Sequence, residues 1–180
     1  MKNIKLLSKH SHVSRLASHT SQGFTLMELL VVIAILGILI GVGLTNFLST
    51  QKKSRDNRRK TDLKNISTAL ETYYNDKGLY PAGDVNGNIM GCGANATAVC
   101  SWGGEWSNTT NSTSYMITVP ADPASNLHYF YRRPGLGKYQ LYARLENTND
   151  MDIPSDVSSF PNCATNVQCD YGVSSGNINP

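Results

Sequence analysis

Residues 23–48 read GFTLMELLVVIAILGILIGVGLTNFL, in which Glu28 is the only charge. The run 29–48 holds 20 residues without a charge, about 30 Å as a helix, which matches the hydrocarbon thickness of a bilayer. A cleaved secretory signal is the competing reading, with Gly41-Val42-Gly43 imitating a small-x-small cleavage site. The apolar run is longer than the usual signal core of about 7 to 15 residues, and a long segment precedes it. A membrane-spanning helix is therefore expected over 24–48.

Working outward, residues 49–77 read STQKKSRDNRRKTDLKNISTALETYYNDK. Leu63, Ile66, Leu70, Tyr73 and Tyr74 recur at spacings of three and four, which makes one apolar helix face opposite charged residues. No proline or glycine falls between Gly43 and Gly78. The spacing predicts one helix of about fifty residues over 24–77, stopped by Gly78 with Pro81 just beyond.

The 180 residues include 16 Lys+Arg and 13 Asp+Glu, a net charge of +3, too small to point to nucleic acid. The charge is also segregated. Residues 1–23 carry four basic residues and no acid, 49–77 carry eight basic and four acidic, and 78–180 carry four basic and eight acidic. A basic shaft and an acidic remainder predict pairing between neighbouring copies, shaft against head.

The head, 78–180, is read as α+β: the long N-terminal helix packs against a small antiparallel sheet with disulfide-bonded loops. HYFYRR (128–133) and KYQLYARL (138–145) flank Pro134-Gly135-Leu136-Gly137 as a hairpin. Tyr139, Leu141, Ala143 and Leu145 share one face, Gln140, Tyr142 and Arg144 the other. SYMITVP (114–120) is a strand candidate; 82–114 and the tail after Asn147 read as loop. The four cysteines, Cys92, Cys100, Cys163 and Cys169, all follow the apolar segment and suggest an oxidising compartment. They allow three pairings, of which nearness in sequence favours Cys92 with Cys100 and Cys163 with Cys169. A zinc site is disfavoured because neither pair has the usual C-x₂₋₄-C spacing.

Gly23-Phe24-Thr25-Leu26-Met27-Glu28, followed at once by LLVVIAILGIL, closely resembles the prepilin signature of type IV pilins and type II secretion pseudopilins. That resemblance implies cleavage between Gly23 and Phe24 by a membrane-embedded peptidase, N-methylation of Phe24, and removal of 1–23 as a leader. It implies that 24–48 is first a membrane anchor and then the filament core, 49–77 the amphipathic helix of the head, and 78–180 the globular head. The subunit then starts as a single-pass protein of the cytoplasmic membrane with its head outside, and ends in an extracellular or periplasmic filament. Implied partners are identical or related pilin subunits, the prepilin peptidase and methyltransferase, a platform protein and an assembly ATPase. Thr45 stands where the family often has proline.

A carboxylate in an apolar helix needs a partner, and cleavage would expose an amine on Phe24, four residues from Glu28. In the family this glutamate pairs with the amino terminus of a neighbouring subunit; a position at the helix start, favouring the dipole, is the simpler alternative. Gly37 and Gly41 share a helix face and permit close packing. The cluster Lys52, Lys53, Arg55, Arg58, Arg59 and Lys60 would by the positive-inside rule place the head in the cytoplasm; the cysteines and the family resemblance place it outside.

Glu146, Asp150, Asp152 and Asp156 form an oxygen-rich stretch. Some pseudopilins hold a calcium ion in this region, so Ca²⁺ is a candidate cofactor, although the spacing matches no EF-hand and a solvated acidic loop is the plainer reading. Trp102 and Trp106 read as core sooner than as a ligand surface. Asn95, Asn108 and Asn111 open short N-x-[ST] sequons. No G-x-S-x-G, H-E-x-x-H or phosphate loop is present. Once the leader's His10, His12 and His19 are removed, His128 is the remaining histidine, read as a residue of the sheet surface. The expected function is a pilin-like structural subunit and not an enzyme. A pseudopilin of a secretion or DNA-uptake machine is the first alternative, and a membrane-anchored adhesin that never polymerises the second.

Overall fold

A computed structural model describes residues 23–176 and 179–180. Residues 1–22 of the expected leader 1–23, with His10, His12 and His19, and the side chains of 42–46, including Gly43 and Thr45, lie outside the described residues. The chain divides into two units, the second beginning at Leu44. Helix α1 (Leu26–Lys77) is 52 residues long.

In the first unit α1 is apolar on every face. Its large side chains range from 44% exposed at Val31 to 82% at Leu26. Such a surface in water is unfavourable and calls for lipid or protein cover. Among the described residues no helix is long and apolar enough to cross a membrane; the expected span continues through 42–46.

In the second unit α1 turns one face inward. Leu63, Ile66 and Leu70 are fully buried, with Tyr73 nearly so, and each aliphatic side chain contributes about 1.5–3 kcal/mol of burial. The helix stops where expected: Gly78 takes φ +73° and donates its N–H to the Tyr74 carbonyl at 2.7 Å, a left-handed cap that only glycine adopts without a Cβ penalty.

The face of α1 meets a sheet of three antiparallel strands: β6 (Phe130–Gly135), β7 (Lys138–Ala143) and β10 (Tyr171–Ser174), with β7 central. The hairpin lies where the sequence places it, in a register that sets Tyr131 opposite Leu141. The tail differs from its reading as loop. It forms a short hairpin of β8 (Asn162–Ala164) and β9 (Val167–Gln168) before β10 pairs Tyr171 with Ala143. Consequently both faces of β7 are covered. Tyr139, Leu141 and Ala143 join the core of α1, while Tyr142 packs in a second cluster with Phe160, Cys163 and Cys169, its ring 4.8 Å from that of Phe160. Alternation could not reveal this, because the strand is wrapped on both sides.

The segment 82–114 also holds more structure than its composition promised. Strands β1 (Ala82–Gly83), β2 (Ile89–Cys92) and β3 (Ala98–Cys100) form one small sheet, β4 (Trp106–Asn108) and β5 (Thr113–Met116) another. The strand expected over 114–120 ends at Met116. These strands are two to four residues long, too short for a periodic signal. Disulfides join Cys92 to Cys100, tying β2 to β3, and Cys163 to Cys169. Trp106 is fully buried, its ring 5.6 Å from that of Tyr73. Gly87 turns the chain between β1 and β2 at φ +78°, and a Cβ there would lie 2.4 Å from the Phe130 ring.

Candidate functional site

The start of α1 is one locus. Thr25 precedes the helix and Glu28 lies in its first turn. The Thr25 backbone N–H and hydroxyl both donate to Glu28 Oε2, at 3.1 and 3.0 Å, and the Glu28 N–H donates to Thr25 Oγ1 at 3.2 Å. This is a reciprocal capping box, which satisfies helix N–H groups that have no intrahelical partner. The sequence reading missed Thr25, although T-x-x-E ahead of an apolar run is its signature. The carboxylate also lies at the positive end of the helix dipole. Among the described residues nothing donates to Glu28 Oε1. Gly23 and Phe24 precede the cap in exposed, non-helical backbone, Phe24 at 89% exposure.

The second locus joins α1 to the head. Asp56, Arg59, Asp62 and Leu63 lie on the buried face at helical spacing. The Arg59 side chain is fully buried, as is that of Asp122. Its Nε and Nη2 donate to the two Asp122 oxygens at 2.8 and 2.9 Å, and Nη1 donates to Asp56 Oδ1 at 2.8 Å and Glu146 Oε1 at 2.9 Å. Arg55 adds a two-point pair to Glu146 at 2.6 and 2.5 Å. Asp56 in turn accepts the backbone N–H groups of Glu146 and Asn147, both at 2.9 Å. Burial would lower the Arg59 pKa, but its hydrogen bonds and charge partners, Asp122 foremost, hold it raised.

Tyrosines complete the junction. Tyr129 donates to Asp62 Oδ2 at 2.8 Å, Tyr80 to Glu71 at 2.9 and 3.0 Å, and Tyr115 bonds Asp76. The helix thus accepts from three head tyrosines while its cations donate to head carboxylates.

Part of the cluster expected to pair with the heads of neighbouring copies is engaged within the chain. Arg55, Arg59 and Lys60 are bound to acids of their own head, and Arg58 lies 3.7 Å from Asp62 on the helix itself. Charge counts by segment cannot distinguish contacts within a chain from those between chains.

The calcium candidates do not gather. Both Glu146 oxygens are engaged by arginine, Asp150 and Asp152 hold the Lys60 ammonium, and Asp156 accepts the Ser158 N–H at 2.8 Å. Among the described residues no three such ligands converge, and calcium needs six to eight oxygens. The donor set therefore does not fit that ion. His128 precedes β6, half-buried and off the strand, its N–H on the Cys163 carbonyl. Asn108 is buried with Oδ1 on the Thr110 N–H, whereas Asn95 and Asn111 are exposed.

Glu146 gives the junction a pH dependence. Hydrogen bonds from Arg55, then Arg59, hold its carboxyl down to about 2, from an ordinary 4.5. Between those values the unfolded chain binds the extra proton, so stability from this group is complete above its ordinary value and is lost as pH falls toward 2. Burial raises Asp62 and Asp170, which works in the opposite sense, so a variant must isolate the effect. Glu146→Gln is expected to melt below the wild type near neutral pH, with the two melting curves converging as pH approaches about 2. A gap independent of pH would contradict this.

An exposed apolar helix start with a capped carboxylate, continuous with a helix packed on a small antiparallel sheet, defines a pilin-like protein. The chain matches the prokaryotic N-terminal methylation motif over residues 18–44 and type II secretion system protein G over residues 46–152. It is 32% identical over 143 residues to the type II secretion system core protein G of Pseudomonas aeruginosa, covering 78% of this chain and 95% of that one. The core protein G of Vibrio cholerae is 33% identical over 113 residues, 63% of this chain and 71% of that one. The type IV major pilin protein PilA of Myxococcus xanthus is 40% identical over 60 residues, covering 33% of this chain but only 27% of that one. No solved structure matches. The chain belongs to the type II secretion system protein G family, a structural family of pilin-like proteins.

Proposed function

We propose that the chain is a subunit of a pilus-like filament: held in the cytoplasmic membrane by 24–48 with its head outside, it is cut between Gly23 and Phe24 by a prepilin peptidase and then drawn into the filament. The observation that carries this is the exposed apolar surface of α1 over its described side chains, with one capped carboxylate at its start. In the filament the apolar segment exchanges lipid for neighbouring helices. That exchange gains little hydrophobic free energy, so extraction needs an external ATPase and a platform protein.

Glu28 has an oxygen to spare for the task. Oε2 is occupied by Thr25, and Oε1, which has no donor among the described residues, would receive a methylated amine of Phe24 on an adjoining subunit. Of the two kinds of filament, the secretion pseudopilin is favoured over the surface pilus: likeness to protein G reaches into the head as far as residue 152, whereas likeness to PilA spans 60 residues.

The test is replacement of protein G in a type II secretion machine by this chain, followed by separation of sheared filaments from the membrane fraction. The expected result is processed chain in the filament fraction and restored secretion. Processed or unprocessed chain confined to the membrane, as for an adhesin that never polymerises, would refute the proposal.

A further inference from the structure

Lys60 bridges two carboxylates of the loop 147–153. Its Nζ donates to Asp150 Oδ1 at 2.7 Å and Asp152 Oδ2 at 2.6 Å, and it lies 5.6 Å from the Tyr171 ring centroid. The loop that presents these carboxylates is built from successive tight turns. The Asp150 N–H donates to the Asn147 carbonyl at 3.1 Å, the Ile153 N–H to the Asp150 carbonyl at 3.2 Å, and the Asp152 N–H to Asp150 Oδ1 at 3.0 Å. Two carboxylates two residues apart are thereby aimed at one position, and their mutual repulsion must be offset by a cation.

The helix supplies that cation in register. Lys60 follows Asp56 by four residues, on the same face of α1. Asp56 holds the start of the loop through the Asn147 N–H at 2.9 Å, and Lys60 holds its middle. Asp150 and Asp152 also line a cleft of about 320 Å³ together with Lys53, Asn57, Asn147 and Asn149, so a second lysine borders the same carboxylates. Burial alone would lower the Lys60 pKa, but its bonds to Asp150 and Asp152 keep it raised.

We propose that the Lys60 ammonium is the resident cation of the loop 147–153, so that the head folds and keeps this loop on α1 without any divalent metal. A covalently tethered cation does not dissociate, so the loop stays anchored at every external metal concentration. This inference does not depend on whether the chain polymerises.

The test is thermal unfolding of the full chain in detergent, in excess chelator and in millimolar calcium chloride. The wild type is expected to melt at the same temperature in both, within about 1 °C. Lys60→Gln should melt lower in chelator, by about 2–5 °C at roughly 2–4 °C per kcal/mol. Lys60→Arg should remain indifferent to calcium. Should Lys60→Gln fail to fold, Asp152→Asn serves instead, since the Asp152 side chain is 61% exposed; it should melt lower than the wild type and show no response to calcium. A wild-type melting temperature that climbs several degrees in calcium would overturn the proposal, as would Lys60→Gln matching the wild type in chelator.

Discussion

Arg59→Met is expected to destabilise the head by about 3–5 kcal/mol, because removing one partner of a buried ionic network leaves the others uncompensated. At roughly 2–4 °C per kcal/mol this is a fall in melting temperature of about 6–20 °C. The side chain is fully buried and its donors reach three carboxylates, of Asp56, Asp122 and Glu146. A methionine fills the volume, so what is lost is charge and hydrogen bonding. Arg59→Lys should recover only part of the loss, since a point ammonium cannot reproduce the two-point contact with Asp122. Arg55→Ala should cost far less, because the Arg55 side chain is 37% exposed and water replaces its contact. Thermal unfolding of the three variants in detergent measures the series; equal losses at Arg55 and Arg59 would remove the buried junction as the fastening between α1 and the sheet.

That junction was the least legible part of the molecule. The apolar run and the spacing of Leu63, Ile66, Leu70 and Tyr73 made α1 readable, because helix periodicity is a local property. The hairpin was readable for the same reason. Nothing local connects Arg59 to Asp122 or Lys60 to Asp150: these contacts close separations of 63 and 90 residues. From sequence the cations looked like a face that pairs with neighbouring copies. Strand β10 was hidden in a polar tail, its register set by pairing with β7 and not by its own pattern. Thr25, by contrast, was legible as a cap and overlooked beside the more conspicuous Glu28.

The second large effect is expected at Glu28. Glu28→Leu should reduce incorporation into filaments at least tenfold, a factor that corresponds to about 1.4 kcal/mol. The capping box complicates this result, because leucine also removes the acceptor for Thr25. Glu28→Gln separates the two roles: glutamine can still close a capping box but carries no charge for the amine of Phe24. If Glu28 works through its charge, Gln should fail as Leu does, while helix content and head stability stay at wild-type levels. Normal assembly of Glu28→Gln would reduce Glu28 to a helix cap. Quantifying the chain in sheared filament fractions against the membrane fraction gives the readout.

Both effects on assembly presuppose maturation, since the amine that Glu28 is to meet does not exist in the precursor. The proposed removal of 1–23 would also take away four basic residues and no acid, and with them the mild basicity of the full sequence. The most direct measurement is the intact mass and N-terminal sequence of the protein taken from its native membrane. Maturation between Gly23 and Phe24 predicts a chain beginning at Phe24 and heavier than residues 24–180 by one methyl group; a chain beginning at Met1, or just after Gly43, would contradict it.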